Sequence, residues 1–151
     1  MAVATVHKVY LGLGSNLGDR LSTMRQAISL IGERVGEVLR QSSMIETEPW
    51  GFDSDKKFLN AVILCETTLS PRQLLQTTQQ IERELGKRQR HATRRASSAS
   101  RQSVVFKDRP IDIDILLYDD LTVDEPDLKI PHPLMHERAF VMIPLNEITN
   151  N

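Results

Sequence analysis

The sharpest chemical pattern in this chain is Arg109-Pro110-Ile111-Asp112-Ile113-Asp114-Ile115-Leu116-Leu117. Successive side chains of a β-strand point to opposite faces, so Ile111, Ile113 and Ile115 share one face and Asp112 and Asp114 the other. Two residues of strand separate the carboxylate-bearing Cα atoms by roughly 7 Å. Their oxygens can converge on one hard cation or bracket two. Mg²⁺ favours such a pair, with phosphate and water oxygens completing its octahedron. The bland alternative is an amphipathic strand with a solvated acidic face. Asp is a poor strand former, so two of them in a central strand favour the metal.

The surrounding charge is uneven. The net charge is −1 over 151 residues. Residues 87–109 hold eight basic side chains and a single acidic one, Asp108, whereas residues 110–127 hold seven acidic and no basic ones. A basic loop running into an acidic strand suits a polyanion held jointly by arginines and a divalent metal; a solvated loop is the plainer reading of charge alone.

Other candidates are weaker in isolation. Gly12-Leu13-Gly14-Ser15-Asn16-Leu17-Gly18 follows a strand and opens a helix, but its spacing is neither the dinucleotide fingerprint nor a P-loop. A tight turn with Ser15 or Asn16 capping the helix is expected there. Asn60 interrupts an apolar strand, and its amide offers the donors and acceptor that a heterocycle edge needs. Trp50, Phe58 and Phe140 could stack on such a ring or be core. His132 and Arg138 lie six apart across a probable turn and could hold phosphates. A single cysteine, Cys65, leaves no zinc set and no internal disulfide, and its apolar neighbours mark it as a core thiol. No Ser-His-Asp or Cys-His arrangement is visible.

These residues must be positioned by a recognisable order of elements. Strands are expected at Val6–Leu13, Val35–Glu48, Phe58–Thr67 and Ile111–Leu117. A first helix follows the glycine turn, with Leu21, Met24, Ile28 and Ile31 inward. The second helix has the clearest signals: Ser70 as N-cap, Pro71 at its first position, Gln73 completing a capping box, an inner stripe of Leu74, Thr78, Ile81 and Leu85, and Gly86 as its stop. Pro126, Pro131, Pro133 and Pro144 imply a tail of turns and short helical pieces. The order β-α-β-β-α-β is that of the ferredoxin-like α+β sandwich: an antiparallel sheet, two helices on one face, and a C-terminal extension. With 40% hydrophobic and 26% charged residues and no long apolar run, one soluble domain over 1–151 is expected, without a membrane span or signal peptide, in the cytoplasm.

Taken in order and spacing, these motifs resemble the 6-hydroxymethyl-7,8-dihydropterin pyrophosphokinases of folate biosynthesis. The resemblance runs from Tyr10-Leu11-Gly12-Leu13-Gly14-Ser15-Asn16-Leu17-Gly18, through Phe58-Leu59-Asn60-Ala61, the Arg109 to Leu116 segment and Pro131-His132-Pro133, to Pro144-Leu145-Asn146-Glu147-Ile148. It implies transfer of the β,γ-pyrophosphoryl group of ATP to the pterin's hydroxymethyl oxygen, with release of AMP. It assigns Asp112 and Asp114 to two Mg²⁺ ions and Arg109 to the closing site. His132 and Arg138, with Gln79 and Glu82 and, from the basic loop, Lys87 and Arg90, go to ATP. Thr47, Trp50, Phe58, Asn60 and Phe140 go to the pterin, Asn60 reading its amide edge and Phe140 stacking on it. The chain departs from the family pattern in three places. Phe106-Lys107-Asp108-Arg109 stands where Trp-Gly-Pro-Arg is common, the stretch from Gly86 to Arg109 is longer and Ser/Ala-rich, and Pro133 replaces a tyrosine.

The competing reading is an RNA-binding module, since ferredoxin-like sheets with basic loops bind RNA. The aromatic sheet motif of such modules is absent, and the aspartate pair would repel a phosphate backbone. The expected partners are therefore ATP and the pterin, with no nucleic acid and no membrane, acting on a monomer.

Overall fold

The computed structural model describes residues 5–48, 57–96 and 110–149, with residues 87–96 described by their backbone alone. In chain order the elements are β1 (His7–Ser15), α1 (Arg20–Arg34), β2 (Val38–Gln41), β3 (Ile45–Thr47), β4 (Phe58–Thr67), α2 (Pro71–Ala96), β5 (Asp112–Tyr118), β6 (Val123–Glu125), β7 (Leu128–Ile130) and α3 (Ala139–Thr149). β1 is an inner strand of the sheet, antiparallel to β4 on one side and β5 on the other. The sheet order is β2-β4-β1-β5, and β3 pairs with β4 beyond β2. This is the expected ferredoxin-like α+β arrangement, with β6 and β7 forming a separate hairpin.

One face of the sheet, the back, is closed by α1 and α2. Val9, Leu11, Leu13, Ile63, Ile113 and Ile115 meet Met24, Ile31, Leu74 and Ile81 there. The inner stripe of α2 is as expected, and its capping box is formed reciprocally. The Ser70 N–H donates to Gln73 Oε1 at 2.9 Å and the Gln73 N–H to Ser70 Oγ at 3.2 Å. Helix α2 does not stop at Gly86 but continues to Ala96. A Cβ at Gly86 would meet nothing within 4 Å, so this glycine breaks no packing and adopts helical backbone.

Four other expectations are corrected. The single strand over Val35–Glu48 is two strands, because Ser42 turns its hydroxyl to the backbone. Ser42 Oγ donates to the Ser43 carbonyl and accepts the Val62 N–H, both at 2.9 Å, and Ser43 is then drawn to Glu147 of α3. In α1, Leu21 is 42% exposed while Thr23 and Ala27 take the inward positions beside Met24 and Ile31. The N-cap is Asp19, whose carboxylate accepts the Ser22 N–H at 3.1 Å, not Ser15 or Asn16. The tail contains a full helix, α3, despite Pro144. Val141, Pro144, Leu145 and Ile148 recur at helical spacing and are buried, and that burial outweighs one lost backbone bond.

Helix α3 covers part of the front face, where Val141, Leu145 and Ile148 pack with Val62, Leu64 and Leu116. A β-bulge makes this possible. Leu11 pairs with Ile115 but Tyr10 with Leu117, so Leu116 is an extra residue in β5. Leu116 and Leu117 both turn toward α3, and Tyr118 returns to the back, beside Val9.

Candidate active site

The rest of the front face is formed by the ends of three adjacent strands. Asp112 of β5 lies opposite Gly14 of β1, which lies opposite Asn60 of β4; the next row is Asp114, Gly12 and Val62. Gly12 and Gly14 therefore lie inside β1, not in a turn after it. Their spacing of two is the strand period, which puts both on the front face. Both are buried, with the Leu116 side chain over Gly12 and those of Asn60 and Phe58 over Gly14. A Cβ at Gly14 would stand 2.8 Å from Asn60 Oδ1 and 3.4 Å from Phe58, so only glycine admits this amide.

On the amide side, Asn60 is 4% exposed, and its Nδ2 donates to Thr47 Oγ1 at 2.6 Å. Thr47 and Phe58 face each other across β3 and β4, both half-buried. The structure thus brings together three of the five residues expected at the heterocycle. Phe140 opens α3 and packs beside its cluster, with the Arg138 guanidinium 5.5 Å from its ring centroid. Trp50 lies outside the described residues.

On the acidic side, Asp112 and Asp114 are half-buried on the same face. β5 is an edge strand rather than a central one, which lowers the penalty for aspartate. Its outer edge is covered at one point: the Ile113 N–H, between the two aspartates, donates to Glu82 Oε2 at 2.8 Å. Glu82 therefore grips the strand carrying the carboxylates, and Gln79 is exposed three residues earlier on α2, on the same flank. His132 approaches from beyond β7, with its Nε2 4.0 Å from Asp114 Oδ1. Its backbone N–H donates to the Leu116 carbonyl at 3.1 Å, and its Nδ1 accepts the Leu134 N–H at 3.3 Å. With Nδ1 an acceptor, the ring proton sits on Nε2 and faces the site. Burial, reinforced by Arg138 and opposed by Asp112, holds this imidazole below its ordinary pKa. Arg109 lies outside the described residues, as do the side chains of Lys87 and Arg90.

The donor set fits a hard divalent cation: two carboxylates, open to solvent on one side, with room for phosphate and water oxygens. Among the described residues no group of three or more His, Cys, Asp and Glu side chains gathers as a self-sufficient metal cage. Cys65 is fully buried, and burial pushes its thiol up to about 12, so it is a core residue. Sequence reasoning missed that Gly12 and Gly14 lie within β1 on its front face, although their spacing of two was the signal.

Element order and sheet topology together place the chain in the ferredoxin-like α+β class. The Plasmodium falciparum HPPK-DHPS triple mutant superposes on 95% of this chain with a TM-score of 0.70, at 16% identity, and so shares its fold. The chain spans 40% of the length of that solved chain. The 2-amino-4-hydroxy-6-hydroxymethyldihydropteridine pyrophosphokinase of Porphyromonas gingivalis is 47% identical over 141 residues, covering 93% of this chain and 89% of that protein. The Bacillus subtilis protein of the same name is 39% identical over 140 residues, covering 92% and 76%. The chain belongs to the 7,8-dihydro-6-hydroxymethylpterin-pyrophosphokinase (HPPK) family, whose pattern it matches over residues 10–150. The RNA-binding alternative finds no support in these likenesses. Among the described residues no helix is long and apolar enough to cross a membrane.

Proposed function

We propose that the chain transfers the β,γ-pyrophosphoryl group of ATP to the hydroxymethyl oxygen of 6-hydroxymethyl-7,8-dihydropterin and releases AMP, as a step of folate biosynthesis. The observation that carries this reading is the row Asp112, Gly14, Asn60. Two strand spacings put a phosphate-side carboxylate and a heterocycle-side amide roughly 10 Å apart, on either side of a strand position that carries no side chain. Family membership supports the reaction type.

In this reading Asn60, oriented by Thr47, reads the pterin's amide edge, and Phe58, Trp50 and Phe140 bound its ring. The hydroxymethyl group then lies over Gly14, toward Asp112. Asp112 and Asp114 would hold Mg²⁺, two ions with ATP, which when bound neutralises the triphosphate and fixes its position. His132 presents its Nε2–H to a phosphate oxygen, and Arg138 a guanidinium. Arg109, Lys87 and Arg90 add positive charge from the basic segment, and Gln79 and Glu82 flank the nucleotide. The hydroxymethyl oxygen bonds to the β-phosphorus as its bond to the α,β-bridging oxygen breaks. AMP leaves with that electron pair, and the hydroxyl proton passes to solvent. Such a transfer needs positioning and charge neutralisation and no nucleophilic side chain. The enzyme works as a monomer in the cytoplasm, on ATP and the pterin and not on nucleic acid.

The test is AMP release from ATP and Mg²⁺ with and without the pterin. Pterin-dependent AMP, removed by Asp112→Asn or by EDTA, is expected. A folded protein that binds ATP yet makes no AMP, or one equally active as Asp112→Asn, overturns the reading.

A further inference from the structure

We infer that Arg20 is a positioning residue for the pterin half of the site, clamping the short strand β3 against the start of β4 from behind the sheet. Arg20 is the first residue of α1, on the back face. Its Nη2 donates to Glu46 Oε2 at 2.7 Å and its Nη1 to the Lys57 carbonyl at 2.8 Å. Glu46 adjoins Thr47, and Lys57 adjoins Phe58. One guanidinium therefore holds the two chain segments that carry two residues of the pocket.

The faces separate this role from substrate contact. Glu46 pairs with Leu59, which packs into the back core, whereas Thr47 pairs with Phe58 and Ile45 with Asn60 on the front. Arg20 thus reaches the pocket only through the backbone of β3. That strand needs an external hold. It has three residues and three ladder pairs, and a slip of one residue would turn Thr47 away from Asn60. The 2.6 Å bond from Asn60 to Thr47 depends on this register. A planar fork with separate donors is the side chain suited to bridging a carboxylate and a carbonyl at fixed spacing, and lysine is not. The contact also holds the Glu46 carboxyl below the usual range, chiefly through the Arg20 hydrogen bond, so it is charged at neutral pH. Both side chains are partly exposed, 31% and 48%, which keeps the clamp's share of global stability small.

The inference rests on the proposed pterin pocket, so the test carries a control for that reading. Steady-state KM values for 6-hydroxymethyl-7,8-dihydropterin and for ATP, kcat, and Tm are measured for wild type, Arg20→Met, Arg20→Lys, Glu46→Gln, the Arg20→Met/Glu46→Gln double variant and Asn60→Ala. Arg20→Met is expected to raise the pterin KM about five- to tenfold, with the ATP KM within twofold. Glu46→Gln gives a smaller rise, and the double variant no more than Arg20→Met alone, because the two side chains act as one contact. Arg20→Lys restores part of the effect. A Tm loss with both KM values unchanged, or equal rises in both, overturns the clamp. If Arg20→Met does not fold, the near-isosteric Glu46→Gln decides by the same KM split. If Asn60→Ala leaves the pterin KM unchanged, the pocket reading itself fails, whatever Arg20 does.

Discussion

The front face of the sheet carries two different surfaces on the same three strands. At one end the row Leu64, Tyr10, Leu117 lies with the cluster under α3; at the other the row Asn60, Gly14, Asp112 occupies equivalent positions on the open half. The backbone is continuous through both, so pleat and register do not distinguish them. Side-chain choice does. Large apolar residues attract a helix and gain burial free energy. Two glycines, an amide and two aspartates offer a helix nothing to bury. The sheet therefore stabilises the domain with one half of this face and forfeits that gain on the other half, where the proposed site lies.

Substitutions can break this contrast from either side. The largest effect is expected for Asp114→Asn, which removes one of the two front-face charges. Its kcat/KM falls on the order of 10²–10³-fold in a pterin-dependent AMP assay, while a thermal melt monitored by circular dichroism stays within a few degrees of wild type. On the covered half, Leu145→Ala empties a position only 4% exposed and costs about 2–5 kcal/mol. Its Tm drops by roughly 5–15 °C, with both KM values within twofold well below that temperature. The reverse outcome, lost catalysis with an unchanged melt, would show that α3 belongs to the site rather than to its support. At the boundary, Gly14→Ala forces Asn60 Oδ1 away from a Cβ 2.8 Å distant and raises the pterin KM about tenfold. Gly12→Ala, whose Cβ would meet Leu116 side-chain atoms no closer than 3.4 Å, serves as its mild partner at twofold or less. The smallest effect belongs to the back face. Cys65, buried and with its thiol near 12, stays unmodified by a thiol reagent at pH 8 until the protein is unfolded.

Local rules carried the sequence reading far. The capping box of α2 and its inner stripe are properties of adjacent residues, and they stand in the structure as read. The alternation of Asp112 and Asp114 with isoleucines fixed which face each would take, because strand parity is local. What escaped depended on distant partners. The break of the second strand at Ser42 needs Val62 and Glu147, neither within reach of a local window. Leu21 falls on the expected helical stripe, yet it is exposed, and Thr23 and Ala27 are buried with Met24 and Ile31. Gly12 and Gly14 were read by glycine's commonest use, a turn, when their use here is an absence of side chains between two strands. Pro144 suggested an interruption that burial of its neighbours overrides. Of the residues proposed for the site, Thr47 and Asn60 are hydrogen-bonded to each other, and Asp112 and Asp114 share one face of β5. Glu82, expected beside the nucleotide, bonds to the Ile113 backbone between the aspartates.

The extra residue at Leu116 gives β5 two reading frames. Upstream of it, odd-numbered residues belong to the helix layer; downstream, even-numbered ones do, and Tyr118 takes up that new phase with its hydroxyl donating to the Leu69 carbonyl at 2.6 Å. The strand is in effect two short messages spliced out of phase, one addressing the ligand and the other α3. A one-residue deletion at the splice would leave both addresses intact: Asp112 and Asp114 stay on the front, Leu117 under α3 and Tyr118 on the back, in plain alternation against β1. What the extra residue supplies is a second leucine side by side with the first, so that two consecutive positions of one strand face α3.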